Sequence, residues 1–222
     1  GFPGWHIECS AMSMKYLGDS FDIHVGGEDL RSTHHPNEIA QSEAATGKPF
    51  VKYWVHGAFI LVDGKRMSKS GGNFYTLFDL VAKGYDALDL RYLYLTAHYR
   101  DQLNVTFSSL DGARKARGKL MELVSGWKFN KEQRVTISEV KTSLVDQMNS
   151  KFRSLVESDL NLPGAVAAVW EMAKSRISDR DKLDLILGWD EVLGLKLKES
   201  SNKKQETIPD EVKELVNRRE VL

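Results

Sequence analysis

The chain has 222 residues, of which 41% are hydrophobic, and its 31 basic and 31 acidic side chains balance. This composition suits a globular protein with one large or two small domains, and it excludes the strong basic field that would by itself indicate a nucleic-acid partner. The single cysteine excludes an internal disulfide, and with no secretory leader or long apolar run in the sequence we expect a cytoplasmic protein without a membrane partner.

The first 64 residues predict an alternating α/β unit. A helix is expected over about residues 5–17, a strand over 21–25 that runs into Gly26-Gly27, a helix that opens at Pro36, and a strand from Tyr53 to Val62. This order is typical of a parallel sheet, in which ligands bind at the carboxyl ends of the strands.

The remaining sequence predicts helices. Two short helices are expected over residues 77–82 and 87–98, and from residue 108 onward the apolar spacing is helical throughout, which favours a helical bundle. Residues 196–207 are polar and predict a linker, and Pro209 is expected to open a final helix. The opening Gly1-Phe2-Pro3-Gly4 has no initiator Met, so we expect a fragment.

Three side chains of the α/β unit are candidate metal ligands: Cys9, His34 and Glu38. A thiolate, an imidazole and a carboxylate are all ligands of zinc, but the spacing is not that of a zinc finger. A buried cysteine, a capping histidine and a surface glutamate are the alternative that the residues leave open. Four positions separate His34 from Glu38, which would place both on one helix face, although Pro36 predicts that His34 precedes the first turn. His35 is the competing ligand.

A segment rich in cations and hydroxyls follows the turn signal Asp63-Gly64. It is Arg66-Met67-Ser68-Lys69-Ser70-Gly71-Gly72-Asn73, and its charges and glycines suit a polyphosphate ligand. This segment resembles the Lys-Met-Ser-Lys-Ser signature of class I aminoacyl-tRNA synthetases, with Arg66 in place of the first lysine.

Two further segments resemble the zinc-site segments of cysteinyl-tRNA synthetases, and they occur in that family's order. They are Gly4-Trp5-His6-Ile7-Glu8-Cys9-Ser10 and His34-His35-Pro36-Asn37-Glu38-Ile39-Ala40-Gln41-Ser42-Glu43. The resemblance implies the second half of a class I Rossmann-type catalytic domain (residues 1–64), a signature and stem-contact region (65–107), a helical bundle that binds tRNA (108–198), and a linker with the start of a truncated C-terminal domain (199–222).

The resemblance also implies roles for individual residues. Cys9, His34 and Glu38 would bind Zn²⁺ with another cysteine from an N-terminal half that this chain lacks, and Trp5 would cover the substrate cysteine. Gly27, Asp29 and His56 would contact ATP. Lys69 would stabilise the charge that develops at the α-phosphate, and Arg66 would keep the charge at the first signature position.

The whole enzyme would then activate cysteine with ATP and transfer it to tRNA(Cys), whereas this fragment alone is expected to be inactive. Two alternatives stay open. One is the cysteine ligase of mycothiol synthesis, which joins cysteine to an amino sugar, and the other is a non-catalytic tRNA-binding module derived from a synthetase.

Overall fold

A computed structural model describes residues 4–68, 72–129 and 139–200 of the chain. The first part is an α/β unit with the helices α1 (His6–Leu17) and α2 (His34–Thr46) and the strands β1 (Phe21–Gly27) and β2 (Val51–Gly57). A 3-10 helix, Glu28–Ser32, joins β1 to α2. The two strands are parallel, with Phe21 opposite Val51 and Gly27 opposite Gly57. Their carboxyl ends therefore lie side by side, as the sequence predicted.

Helix α2 begins two residues earlier than the sequence predicted. His34 is its first residue, and Pro36 lies within the first turn, where proline is tolerated because the backbone there needs no N–H donor. The expectation that His34 precedes the helix was therefore wrong. The helix ends at Gly47, whose φ of 68° suits glycine and whose N–H bonds the carbonyl of Glu43.

The predicted strand from Tyr53 to Val62 is instead two strands in two sheets. Strand β2 ends at Gly57, and the second sheet contains β3 (Ile60–Val62), β4 (Lys65–Arg66) and β5 (Leu103–Val105) in the order β4-β3-β5. The ladder breaks because the Ala58 N–H donates to the Tyr99 carbonyl at 2.8 Å and not to a strand. The β3–β4 hairpin turns at Asp63 and Gly64, whose φ angles of 51° and 73° are those of a two-residue hairpin turn.

The rest of the described chain is helical apart from β5. Its helices are α3 (Leu77–Ala82), α4 (Ala87–Leu95), α5 (Phe107–Phe129), α6 (Glu139–Glu157), α7 (Leu162–Lys174), α8 (Asp179–Leu193) and α9 (Leu197–Ser200). The largest buried apolar cluster lies among these helices, where the rings of Phe152 and Trp189 stack at 4.5 Å. This confirms the predicted α/β fold with a helical part after it.

The expected linker is only partly a linker. Leu197 is fully buried in the helical core, so the start of α9 packs with the bundle. Residues 201–222, which include the rest of that segment and the helix expected from Pro209, lie outside the described residues. No helix in the described ranges is both long and apolar enough to cross a membrane.

Two polar contacts connect parts of the helical region, one between two helices and one between the segments that follow α4 and α6. The Arg117 Nη1 donates to Asp89 Oδ1 at 2.8 Å, and both side chains are almost fully buried between α5 and α4. Beyond α6, the exposed carboxylate of Asp159 accepts 2.7 Å hydrogen bonds from Tyr99 Oη and Arg100 Nε. These bonds from Arg100 and Tyr99 hold the pKa of Asp159 below its usual value.

One face of the β1–β2 sheet is apolar and bare of described helices. Ile23, Val25 and Tyr53 are 59%, 66% and 66% exposed on this face, whereas His24 and Trp54 on the other face contact residues of α2. Parallel sheets are normally covered on both faces. This surface therefore has the character of an interface.

Candidate metal and nucleotide site

The predicted ligands Cys9, His34 and Glu38 converge between α1 and α2. One ligand atom from each lies within 4.8 Å of the others, with Cys9 on α1 and the other two on α2. Because α2 begins at His34, this residue and Glu38 are one turn apart on the same face, and His34 Nε2 lies 2.8 Å from Glu38 Oε1. The structure thus brings together three side chains although β1 and the 3-10 helix separate Cys9 from His34 in the sequence.

The Glu38 carboxylate is buried among groups of the described residues that do not donate to it. The side chain is fully buried, yet neither of its oxygens has a hydrogen-bond partner among the described residues. His34 Nε2 is close enough to Oε1 for a hydrogen bond, but the two groups lack the required geometry. A buried carboxylate without donors is costly, and a cation bound by both groups would remove that cost. The donor set therefore fits a zinc ion.

The electrostatics of these three side chains indicate what a bound cation would change. Burial raises the pKa of Glu38, and burial together with the charge of Glu38 raises the pKa of the Cys9 thiol. Without a cation, the site thus disfavours the two anionic forms that bind metals. A divalent ion would reverse this preference because its charge favours the thiolate and the carboxylate.

A second group of possible ligands shares Glu38, and it includes His24, which sequence analysis missed. His24 Nε2 lies 3.3 Å from Glu38 Oε2, and His24, His35 and Glu38 also have ligand atoms within 4.8 Å of one another. The signal for His24 was its place in β1 between Ile23 and Val25, which puts its side chain on the face opposite these apolar side chains. Strand parity alone could have placed it near α2.

His35 is a neutral link between the metal cluster and His56. Its Nδ1 lies 2.8 Å from His56 Nε2, within hydrogen-bonding distance. Burial, with smaller contributions from the neighbouring histidines, lowers the pKa of His35 to about 4. The ring also explains Gly26, because a Cβ there would lie 2.6 Å from His35 Cε1.

A polar seam fixes α1 against α2 beside the cluster. Gln41 Nε2 donates to the His6 carbonyl at 2.7 Å and to Ser10 Oγ at 2.5 Å, and Ser42 Oγ donates to Ser10 Oγ at 2.9 Å. Ser10 and Ser42 are almost completely buried. Since Cys9 precedes Ser10 in α1, the seam determines how close its sulfur comes to the α2 ligands.

Trp5 lies over the metal cluster and outside the core. Its ring centroid is 3.9 Å from that of His34, and the residue is 56% exposed. With that exposure, Trp5 is not a residue of the buried core. The ring instead covers one side of the imidazole.

The residues predicted to contact ATP lie at the carboxyl ends of β1 and β2. Gly27 ends β1, and Asp29 Oδ1 folds back over it, 2.5 Å from where a glycine-replacing Cβ would be. His56 helps to line a cavity of about 330 Å³ whose walls are Glu28, Arg31, Trp54, His56, Ala58 and Arg100. Burial and the charges of Arg31 and Arg100 lower the pKa of His56, and both arginines line the same cavity.

The signature segment is described in part. Arg66 is the last residue of β4, and its guanidinium lies over the Phe59 ring, 4.8 Å from the centroid. Lys69 lies outside the described residues, as do Ser70 and Gly71. The structure therefore places one of the two predicted signature cations.

Comparison with known proteins agrees with this arrangement. Residues 1–115 match the family model for the catalytic domain of class I (C) tRNA synthetases. The chain belongs to this class I tRNA synthetase family. The match spans the metal cluster, the signature segment and the first helices that follow, so it covers every site residue described above.

Several relatives of this synthetase family are named cysteine–tRNA ligases. One from Burkholderia lata is 46% identical and aligns with 90% of this chain but 40% of its own length. Another from Chlamydia felis is 42% identical and aligns with the full chain and 48% of its own length. The chain spans about half the length of the curated relatives it matches.

A solved structure shows the same fold in a more distant synthetase. It is the ternary complex of an Agrobacterium radiobacter LeuRS with tRNA and LeuAMS, with a TM-score of 0.61 over 83% of this chain and 28% of that one. At 15% sequence identity, this likeness concerns the fold alone.

Proposed function

We propose that the polypeptide to which this chain belongs is a cysteine–tRNA ligase, which activates cysteine with ATP and transfers it to tRNA(Cys) in the cytoplasm. The observation that carries the proposal is the convergence of Cys9, His34 and Glu38 in a synthetase-type α/β unit. The names of the relatives support it.

In this proposal Cys9, His34 and Glu38 hold a zinc ion whose chemistry is to recognise the substrate thiolate. Cysteine and serine differ by one atom, and pocket shape separates such near-isosteres by only about 1–3 kcal/mol. A soft thiolate is a good zinc ligand and a hydroxyl is a poor one, so coordination gives the discrimination that shape does not. The part of this chain is to supply one thiolate, one imidazole and one carboxylate, with Trp5 over the imidazole.

The nucleotide is proposed to bind at the ends of β1 and β2. There the missing side chain of Gly27 leaves room for the Asp29 carboxylate, which can accept hydrogen bonds from ribose hydroxyls, and His56 lines a cavity together with Arg31 and Arg100. Arg66 and Lys69 would neutralise the charge that develops on the phosphates as the carboxylate of cysteine attacks and pyrophosphate leaves.

We also propose that the activity needs more polypeptide than these residues. The bare apolar face with Ile23, Val25 and Tyr53 supports this, because a second layer would normally cover it. In this proposal the covering part supplies the fourth zinc ligand, and the division at residues 64, 107 and 198 separates the catalytic half, stem-contact region, tRNA-binding bundle and linker. Zinc binding by these 222 residues alone would then be weak. Metal analysis after dialysis tests this, and stoichiometric zinc would contradict it.

The deciding experiment is cysteine-dependent ATP/pyrophosphate exchange and tRNA aminoacylation by a complete polypeptide that carries this sequence. Lys69→Ala should lower the exchange rate by roughly 10²–10³-fold, as loss of a group that stabilises developing charge does. Lys65→Ala is the matched control, since Lys65 is an exposed lysine in the same hairpin.

The outcomes separate the candidate functions. Exchange with cysteine, rejection of serine and charging of tRNA would support the proposal. Adenylation without tRNA charging would favour the amino-sugar ligase, and tRNA binding without any adenylation would favour the non-catalytic module.

A further inference from the structure

The side chain of Asn73 joins three backbone groups around the point where the signature segment leaves its strand. Its Nδ2 donates to the Val62 carbonyl at 3.2 Å and to the Arg66 carbonyl at 3.1 Å. Its Oδ1 accepts from the Ser68 N–H at 3.0 Å. The single side-chain amide thus links Val62 in β3, Arg66 in β4 and Ser68, the second residue after β4.

The hydrogen bonds of Asn73 lie in a part of the β3–β4 hairpin that has few hydrogen bonds between its strands. Strand β4 has only two residues, and its ladder to β3 pairs Leu61 with Arg66 and Val62 with Lys65. The asparagine side chain extends this ladder beyond its last pair. It has the donors and the acceptor that the site needs, whereas an aspartate of the same shape would present a carboxylate to two carbonyl oxygens.

Both the side chain and the backbone of Arg66 make contacts that fix its position. Its guanidinium lies over the Phe59 ring, and the Phe59 N–H donates to Glu28 Oε1 at 3.4 Å. Glu28 in turn lines the cavity proposed for the nucleotide. The position of Arg66 relative to that cavity therefore depends on two anchors, the Phe59 ring and the Asn73 amide.

We propose that Asn73 is a positioning residue of the adenylation reaction: it fixes the backbone of Arg66 and Ser68 so that the Arg66 guanidinium is directed toward the phosphates. This role rests on the proposed function. Asn73 does not touch the substrates; it acts through the residues whose backbone it binds.

The structural part of the proposal is tested on the 222-residue chain by limited trypsin cleavage at the Arg66–Met67 bond, followed by mass spectrometry. Asn73→Asp and Asn73→Ala should raise the cleavage rate about tenfold, since each loses both donated hydrogen bonds. Asn104→Asp is the matched control, because Asn104 lies in β5, which pairs with β3, and its Oδ1 accepts from the Gly64 N–H at 2.8 Å, a role that a carboxylate oxygen also fills. Its cleavage rate should stay within twofold of the original.

The same three variants in the complete polypeptide test the catalytic part. Rates of ATP/pyrophosphate exchange are normalised to the active sites counted by the adenylate burst, so that misfolded protein does not contribute. The Asn73 variants should lose about tenfold in kcat with an unchanged KM for cysteine and an unchanged zinc content, and Asn104→Asp should retain the original values.

Two results would overturn the proposal. Equal cleavage rates in all four proteins would show that Asn73 does not hold the segment, and an unchanged normalised kcat in the Asn73 variants would show that its hold does not matter to the reaction. If the unsubstituted enzyme shows no cysteine-dependent exchange, the proposed function fails and the catalytic role of Asn73 fails with it, whereas the cleavage comparison still decides whether Asn73 fixes the backbone.

Discussion

Replacing Glu38 with glutamine should stabilise the metal-free chain and weaken its metal binding. The carboxylate is fully buried without a hydrogen-bond donor among the described residues, and burying an unsatisfied polar group costs about 1–3 kcal/mol in mutational data. Glutamine keeps the volume of the side chain and removes the buried charge, which is the costly part of the carboxylate. We therefore expect a gain of about 1–2 kcal/mol, which is roughly 2–8 °C in Tm for a chain of this size.

The measurement is a thermal melt after chelator treatment, paired with a competition titration with Co²⁺, whose absorption reports thiolate coordination. Glu38→Gln should lose at least about tenfold in Co²⁺ affinity, because even residues outside the ligand set change metal affinity by about 10–100-fold. Glu43→Gln is the control: it lies on the same helix, is exposed, and keeps the Oε1 that accepts from the Phe50 N–H. A metal-free Glu38→Gln protein that melts below the original, or binds Co²⁺ equally well, would refute the reasoning.

Three further predictions concern stability. Arg117→Met leaves the buried carboxylate of Asp89 without its cation and should lower the free energy of unfolding by about 3–5 kcal/mol in urea titrations; a loss under 1 kcal/mol would contradict it. Ser42→Val removes the hydrogen-bond donor to Ser10 and should lower the free energy of unfolding by about 1–3 kcal/mol in the same titrations. It should also weaken Co²⁺ binding, and an unchanged Co²⁺ affinity would show that the seam does not position the proposed ligands. Because the pKa of Asp159 is lowered on folding, its contribution is present above the usual carboxyl pKa near 4 and is lost as the pH falls through the folded value; Asp159→Asn should therefore lower the urea midpoint at pH 7 more than at pH 3, and an equal loss at both would argue against the ion pair.

Local chemistry was enough to predict most elements. Gly18 and Gly47 end α1 and α2 because each has a positive φ, which glycine adopts without strain. Asp63 and Gly64 form the hairpin turn, in which both central residues have a positive φ. The convergence of Cys9, His34 and Glu38 was expected from the family resemblance and not from their spacing.

The errors arose where distant residues decide the structure. Gly57 is a weak local signal for a break within Tyr53–Val62, but the break itself depends on a carbonyl about forty residues away at Tyr99. Strand β5 pairs with β3 across two helices, so its three residues have no local signature. The sequence predicts Pro36 as the first helical residue because that is the favoured place of proline, but the first turn admits it at other positions as well.

Helix α2 carries two of the proposed metal ligands and its half of the polar seam on a single stripe. His34, Glu38, Gln41 and Ser42 follow the helical repeat, so one residue inserted after Glu38 would rotate Gln41 and Ser42 by about 100° away from α1. The number of residues between Glu38 and Gln41 therefore cannot change without rotating the seam residues relative to the proposed ligands. Point substitutions along this stripe can accumulate one at a time, but a change of length would separate α1, and Cys9 with it, from His34 and Glu38 in a single step.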